Sequence, residues 1–545
     1  MYMLTRLLQL SPSSSSIDTP AERNVKRVLE VRLVYVLDAL QLLLLAKVTE
    51  VLGFRAESDW ASDSRLHTSS STDGEDLHAL AYRSKMMVAS KPNGTSTSVQ
   101  SLPENFYTSF LSDVAKARLP SPIRSLLPLE ATPGIISLLA GKPNPTTFPF
   151  TSFDFTARAP PSEDGRTNSD DIALNISGGE LAAALQYGAT GGMAPLVDWF
   201  HGLQSTVHGR ERGEGWTLSV GSGSQDLLSK AIIALLNPGD TVLVQSPVYA
   251  GVIPLFHSLR CEQIEVDADA EGISTVSLRE ILESWPAEKP KPRVLYTIPY
   301  GGNPTGATAT LARRREVLQL AREHNFLIME DDPYFYLFYG AGPREPSYFA
   351  MERADPSCAG HPVGRVLRFD SISKILSAGM RIGFASGPAP LLRAIDAHTA
   401  TANLQPASLT QAIALKLLEA WGYDGFLRHT RGVSAFYRAS RDVFEAALQR
   451  HLTGLVEWAT PQSGLFFWFK LLLPGADGGD SAAIIRTEAF ERGVLALPGT
   501  VFLPNGRTTA YVRASFSLLA PEEVDEAVKR LRDTILDVRA QAASA

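Results

Sequence analysis

The segment most suggestive of chemistry runs from Phe369 to Phe384, FDSISKILSAGMRIGF in one-letter code. Its lysine, Lys374, follows a run that reads as a buried strand and is ringed by small and hydroxyl residues. An amine held there is short of water, which disfavours its charged form and lowers its pKa toward the range of a free nucleophile. Such a lysine can form a Schiff base with a carbonyl. Arg381 lies where a chain looping through Ser377, Ala378 and Gly379 returns to the same place, and its planar fork can grip a phosphate through two parallel hydrogen bonds. A surface lysine and a packing arginine would be spelled the same way, so other segments must decide.

Three of them bear on the question. YGGNPTG, residues 300–306, places Asn303 on a stiff loop at the C-terminal end of a predicted strand, where open α/β sheets bind ligands. The predicted strand Phe326–Glu330 runs into Asp331, Asp332, Pro333 and Tyr334. A carboxylate at Asp331 can hold a heterocyclic nitrogen protonated while Tyr334 donates to a ring oxygen; an acidic turn before proline is the plainer alternative. VGSGSQ, residues 220–225, opens a predicted helix, so its backbone N–H groups and the Ser224 hydroxyl would face an anion at the helix N-terminus. No Gly-Lys-Ser/Thr follows and GxGxxG is not matched, which argues against the common nucleotide loops.

These groups need a scaffold, and the pattern supplies one. From about Ser137 short β-rich runs alternate with amphipathic segments. Strands are predicted at Thr241–Gln245, Val294–Ile298, Phe326–Glu330, Val366–Phe369 and Arg381–Ser386, with helices over 224–236 and 311–324 between them. This alternation predicts an α/β fold whose sheet is mostly parallel and covered on both faces. After about residue 390 come long helical patterns, a strand-like Gly464–Leu473, a helix near 481–492, short strands at Val494–Leu497 and Ala510–Phe516, and a terminal helix. That mixture reads as a smaller α+β domain. Polar stretches at 159–171 and 474–480 read as surface loops.

Composition narrows the classes. The chain has 545 residues, of which 44% are hydrophobic and 20% charged, enough apolar material for more than one core. Its net charge is -7, which offers no basic surface for nucleic acid. Residues 1–100 carry 11 basic and 11 acidic side chains, so the excess lies in 101–545, where 40 basic face 47 acidic. Two cysteines, Cys261 and Cys358, cannot build a disulfide framework or a cysteine-rich metal site, and fit a reducing compartment. No metal site is expected. The most apolar stretch, 31–54, is broken by Asp38, Lys47 and Glu50 and is too interrupted to span a membrane; it reads as part of one helix from about 21 to 53. The first 17 residues, with Arg6, many serines and no acid, weakly resemble a mitochondrial presequence. The compartment expected is the cytoplasm, with the mitochondrion as the alternative.

Taken together, these motifs resemble, in order and over about residues 105–535, the class I/II aminotransferases. These are pyridoxal-phosphate enzymes of fold type I, and the nearest likeness is to the aromatic amino acid, 2-aminoadipate and kynurenine branch. The resemblance implies that Lys374 is the lysine bonded to the cofactor. Arg381, Ser371 and the turn Gly223, Ser224 and Gln225 would form the phosphate cup. Asp331 would be the pyridine-nitrogen partner, Tyr334 and Asn303 the groups on the ring oxygen, and Tyr249 the aromatic on the ring face. On the substrate side it implies Arg513 at the α-carboxylate, helped by Asn303, with Gly141 nearby. Tyr187 would stand at the wall where two subunits meet, and Arg124 would be a mobile-arm arginine for the far end of the substrate.

The implied reaction is ping-pong transfer of an amino group between an aromatic or aminoadipate-like amino acid and a 2-oxo acid such as 2-oxoglutarate, in a homodimer with a shared active site. Another fold type I enzyme (a β-lyase, decarboxylase or synthase) or an aminotransferase-like transcription regulator is the alternative. The implied layout is an extension and linker over 1–104, an arm and the first part of the small domain over 105–173, a large cofactor domain over 174–395, and a C-terminal small domain over 396–545.

Overall fold

The computed structural model describes residues 99–139, 141–162, 170–474 and 479–544. The helix expected near 21–53, the presequence-like start and nearly all of the expected extension lie outside the described residues, as do the middles of the polar loops at 159–171 and 474–480. A hairpin comes first, β1 (Ser152–Arg158) and β2 (Asp171–Ser177), paired antiparallel. Its alternating half-buried and exposed side chains are the period-two pattern of a sheet with one wet face.

The central sheet has eight strands: β3 (Trp216–Gly221), β4 (Thr241–Ser246), β5 (Glu262–Asp269), β6 (Gly272–Ile273), β7 (Val294–Thr297), β8 (Leu327–Asp331), β9 (Val366–Ser371) and β10 (Gly383–Pro388). Their order is β3-β10-β9-β8-β7-β4-β5-β6. The run β9-β8-β7-β4-β5 is parallel, while β10 is antiparallel to both β9 and β3, and β6 is antiparallel to β5. The sheet is therefore mixed and mainly parallel, as expected. Every residue of β7, β8, β9 and β10 is buried. A strand covered on both faces has no polar side to show, which is why VLYT and LIM read as continuous apolar runs. The helices Ser224–Leu235 and Leu311–Glu323 stand where the sequence predicts them and contribute Leu227, Leu228, Val317 and Leu320 to the same core.

Four more strands form a second, antiparallel sheet in the order β11-β12-β14-β13: β11 (Val456–Trp458), β12 (Phe466–Leu471), β13 (Leu497–Pro498) and β14 (Tyr511–Ser515). It has its own core, in which Phe444, Leu448 and Leu452 from the helix Ser408–Leu452 meet Phe467, Val512 and the terminal helix's Val528, Leu531 and Ile535. Phe444 and Phe467 stack at 5.1 Å.

Most strand boundaries shift by a residue or two from expectation, and three differences change how an element runs. β10 starts at Gly383 rather than Arg381, because the chain first makes a helical turn at Ala378–Met380 and Arg381 then takes a left-handed conformation, φ 53°. The helix expected over 481–492 is cut at Thr487, whose hydroxyl donates back to the Ala483 carbonyl at 2.6 Å, leaving Ser481–Arg486 and Glu488–Glu491. The strand expected at Val494–Leu497 pairs only at Leu497–Pro498. Among the described residues no helix is long and apolar enough to cross a membrane.

Candidate active site

Parallel strands end on one edge of their sheet, and that edge collects the chemistry. Tyr249 follows β4, Asn303 follows β7, Asp331 ends β8 with Tyr334 just beyond, and Ser371 ends β9 with Lys374 in the next turn. Since β3 is antiparallel to β10 and β10 to β9, β3 points the same way as β9 and delivers Ser224 to the same edge. This is the carboxyl edge at which open α/β sheets bind ligands.

The glycine turn is built around Arg381. Gly223 caps the helix Ser224–Leu235 at φ 90°, and a Cβ there would sit 2.3 Å from Nη2 of Arg381. Only glycine leaves the guanidinium its place. Arg381 donates to the Ser222 carbonyl at 3.2 Å, to the Ala378 carbonyl at 3.2 Å and to the Ser373 hydroxyl at 3.5 Å. The Ser371 hydroxyl accepts from the Ser373 N–H. Gln225 turns its amide away, donating to the Gly251 carbonyl at 2.6 Å in the Tyr249 loop. The result is a guanidinium beside a free helix N-terminus, two features that attract the same anion.

At the other end of the cleft Asp331 is buried. The Tyr296 hydroxyl donates to Oδ2 at 2.7 Å, and Oδ1 has no partner among the described residues. Burial, opposed by that hydrogen bond, pushes the Asp331 carboxyl up to about 7. A cationic N–H placed against Oδ1 would supply both the missing bond and the missing charge. Tyr249 and Tyr334 are within electrostatic range of Asp331 and of Arg513, and burial raises both phenols. Asn303 bonds the Tyr334 side chain and accepts from Nη1 of Arg513 at 2.9 Å. Arg513 lies on β14 with its guanidinium 4.2 Å from the Phe466 ring centre, and its Nε has no partner among the described residues.

Lys374 is half-buried, and desolvation, with the nearby Arg381 charge, holds its amine below the usual lysine range. Its turn is tied down by Leu376 N–H to the Ile372 carbonyl at 2.8 Å and by a contact of 2.6 Å from Nε2 of His429 to the Ile375 carbonyl.

The remaining three residues form a second group. Arg124 donates to the Gly188 carbonyl at 3.0 Å and the Thr190 hydroxyl at 2.9 Å, beside Tyr187. Gln186 donates to the Pro143 carbonyl at 2.7 Å, which fastens the Gly141 segment to the same place. Gly141 and Tyr187 are exposed. The hydrogen bonds of the described residues do not join Arg124, Gly141 or Tyr187 to the Lys374 cleft. Tyr296 is the residue sequence reasoning missed: inside the apolar VLYT run it reads as core, and only its hydroxyl's contact marks it.

Pyridoxal phosphate brings an anionic phosphate, a basic ring nitrogen and a reactive carbonyl. The cleft answers with the Gly223–Arg381 turn, the unpartnered Asp331 oxygen and the depressed Lys374 amine, so the residues present fit that group. The sequence model of the family Aminotransferase class I and II matches residues 198–531. The aminotransferase tdiD of Emericella nidulans is 44% identical over 413 residues, 76% of this chain and 92% of the relative. The mitochondrial kynurenine/alpha-aminoadipate aminotransferase of Rattus norvegicus is 38% identical over 448 residues, 79% and 99% of the two chains. The Pyrococcus horikoshii kynurenine aminotransferase, solved in complex with PMP, KYN and KYA, superposes with a TM-score of 0.60 at 29% identity over 79% of this chain and 98% of its own.

Proposed function

The chain belongs to the class I and II aminotransferases, and from that premise we propose that it exchanges the amino group of an aromatic or aminoadipate-like L-amino acid with a 2-oxo acid such as 2-oxoglutarate. The observation that carries this reading is the convergence of Lys374, Asp331, Tyr249 and Arg381 on one edge of the central sheet, with Arg513 of β14 within electrostatic range of Tyr249. Pyridoxal phosphate, the family's cofactor, supplies an electron sink for the pair released at the amino acid's Cα. Relatives named as aminotransferases weigh against the lyase, decarboxylase, synthase and regulator readings.

In this proposal Arg381, Ser371 and the Gly223–Ser224–Gln225 turn hold the cofactor's phosphate. The Asp331 carboxylate keeps the ring nitrogen protonated, with Tyr296 fixing the orientation of that carboxylate. Tyr334 and Asn303 bind the ring oxygen, and Tyr249 covers a ring face. Arg513 forks onto the substrate carboxylate, an orientation that aims the Cα–H bond rather than the carboxylate bond for cleavage. The lowered pKa of Lys374 leaves its Nζ able to take the Cα proton and return one in the reverse half-reaction. The two half-reactions then alternate in ping-pong order.

Arg124, Gly141 and Tyr187 complete the site from the second subunit of a homodimer. Support comes from the uncovered apolar side chains along the same arm, with Leu119 84%, Ile136 92% and Leu138 98% exposed. Arg124 then meets an acidic substrate end and moves aside for an aromatic one. Cytoplasmic placement, with the mitochondrion as alternative, belongs to the same proposal. The test is kcat/KM measured separately for L-phenylalanine, L-kynurenine, 2-aminoadipate and 2-oxoglutarate, which in a ping-pong scheme reports each partner's own half-reaction. Selective loss of the acidic partners in Arg124→Ala is expected, and equal loss of all partners would refute side-chain selection by Arg124.

A further inference from the structure

The helix that presents its N-terminus to the cofactor phosphate carries an acid in its first turn. Asp226 sits two residues after Ser224, and its Oδ2 accepts from the Ser222 N–H at 3.0 Å. That bond orders the turn, because the other side of Ser222, its carbonyl, is held by Arg381 at 3.2 Å. A bare carboxylate at this place would also repel a phosphate dianion arriving at the same helix end. The structure places a cation on it: Nζ of Lys230, one turn along the helix, lies 2.9 Å from the same Oδ2. Lys230 is buried, which is costly for a lysine unless it is paired. Its other hydrogen bond among the described residues is a long one, 3.4 Å to Oδ1 of Asn403. Asp396 is also within electrostatic range of Lys230, but its side-chain hydrogen bond is to Ser219.

We propose that Lys230 is a positioning residue for cofactor binding: by neutralising Asp226 it lets that carboxylate clamp the Ser222 peptide without opposing the phosphate. The inference rests on the reading of the Gly223–Arg381 turn as the phosphate site. Lys230 touches neither cofactor nor substrate in this scheme. It acts through Asp226 and Ser222 on the turn and on Arg381, and its effect is confined to ligands that carry a phosphate.

The full chain, stripped of cofactor, is titrated with pyridoxal phosphate and with pyridoxal, following visible absorbance. Lys230→Met is expected to bind pyridoxal phosphate roughly ten- to hundredfold more weakly, with pyridoxal affinity unchanged. Asp226→Asn combined with Lys230→Met removes both charges and is expected to regain most of the loss. Equal weakening toward both ligands, no weakening, or no recovery in the double variant would overturn the proposal. Should Lys230→Met fail to fold, the double variant decides alone: a wild-type preference for the phosphorylated ligand supports the scheme, and its loss overturns it. A wild-type chain with no such preference would instead overturn the phosphate-site reading and this inference with it.

Discussion

In the proposed scheme the Asp331 carboxyl serves the cofactor at a cost in stability. Its folded pKa is raised to about 7 by burial, above the ordinary carboxylate value, so the folded, cofactor-free chain holds that proton more tightly than the unfolded chain does. The stability it contributes is complete below its unfolded pKa and is lost as pH rises through about 7. Asp331→Asn removes the buried charge. Cofactor-free Asp331→Asn should therefore melt higher than the cofactor-free wild type at pH 8, with the gap closing by pH 5, while transamination falls by roughly a hundredfold or more. Calorimetry across pH beside turnover assays checks both halves. At Arg513 the geometry matters more than the charge, since Asn303 occupies Nη1 and leaves Nε unpartnered among the described residues. Arg513→Lys should raise KM for the amino acid roughly ten- to hundredfold, measured with saturating cofactor. Asp331 and Lys374 were legible because an acid or a lysine directly after an apolar strand is an odd place for a solvated group. Tyr296 was not, since a tyrosine inside a strand is spelled the same whether or not its hydroxyl does anything.

The loop that carries Asn303 is held by backbone against backbone. Gly301 has φ 52°, and a Cβ there would lie 2.6 Å from the Gly464 nitrogen and 2.7 Å from the Ser463 carbonyl carbon, in the segment leading into β12. Neither atom can rotate away as a side chain would. Gly301→Ala should cost roughly 1 to 3 kcal/mol from the left-handed backbone, plus whatever displacement relieves the clash. Because that displacement moves Asn303 away from Arg513 and Tyr334, kcat/KM should fall even where the protein is fully folded, as urea unfolding paired with kinetics would show. Among the strands that position the site, β9, VLRFDS, is interrupted by the buried Arg368, which pairs with Asp332 and Asp370, while β4, β7 and β8 were readable because burial on both faces leaves the apolar runs VLV, VLY and LIM. The flanking elements were not: β5 spells EQIEVDAD near the sheet edge, and β1 and β2 expose every second residue. Arg381 misled the strand boundary for a geometric reason, since the left-handed turn that delays β10 is what brings its guanidinium back to Ser222.

At the scale of the whole molecule, no hydrogen bond of the described residues joins the Arg124–Tyr187 group to the cleft within one chain, and sequence order alone does not say which copy's cleft that group serves. If a second copy completes each site, mixing Lys374→Ala chains with Arg124→Ala chains should restore activity toward acidic substrates. Each hybrid would then have one site with both lesions and one with neither. Mixing would restore nothing if both residues served the same chain's site; assays after subunit exchange, with sedimentation to count chains, separate the two cases. The central claim, that this cleft performs transamination through Lys374, is tested most directly by the visible absorbance of the cofactor-loaded protein before and after an L-amino acid is added without any 2-oxo acid. The account predicts that the band shifts to the amine form of the cofactor, that 2-oxoglutarate reverses the shift, and that both steps slow by orders of magnitude in Lys374→Ala. A band that stays unchanged with every donor in the panel, or a Lys374→Ala protein that shifts as fast as the wild type, would contradict it.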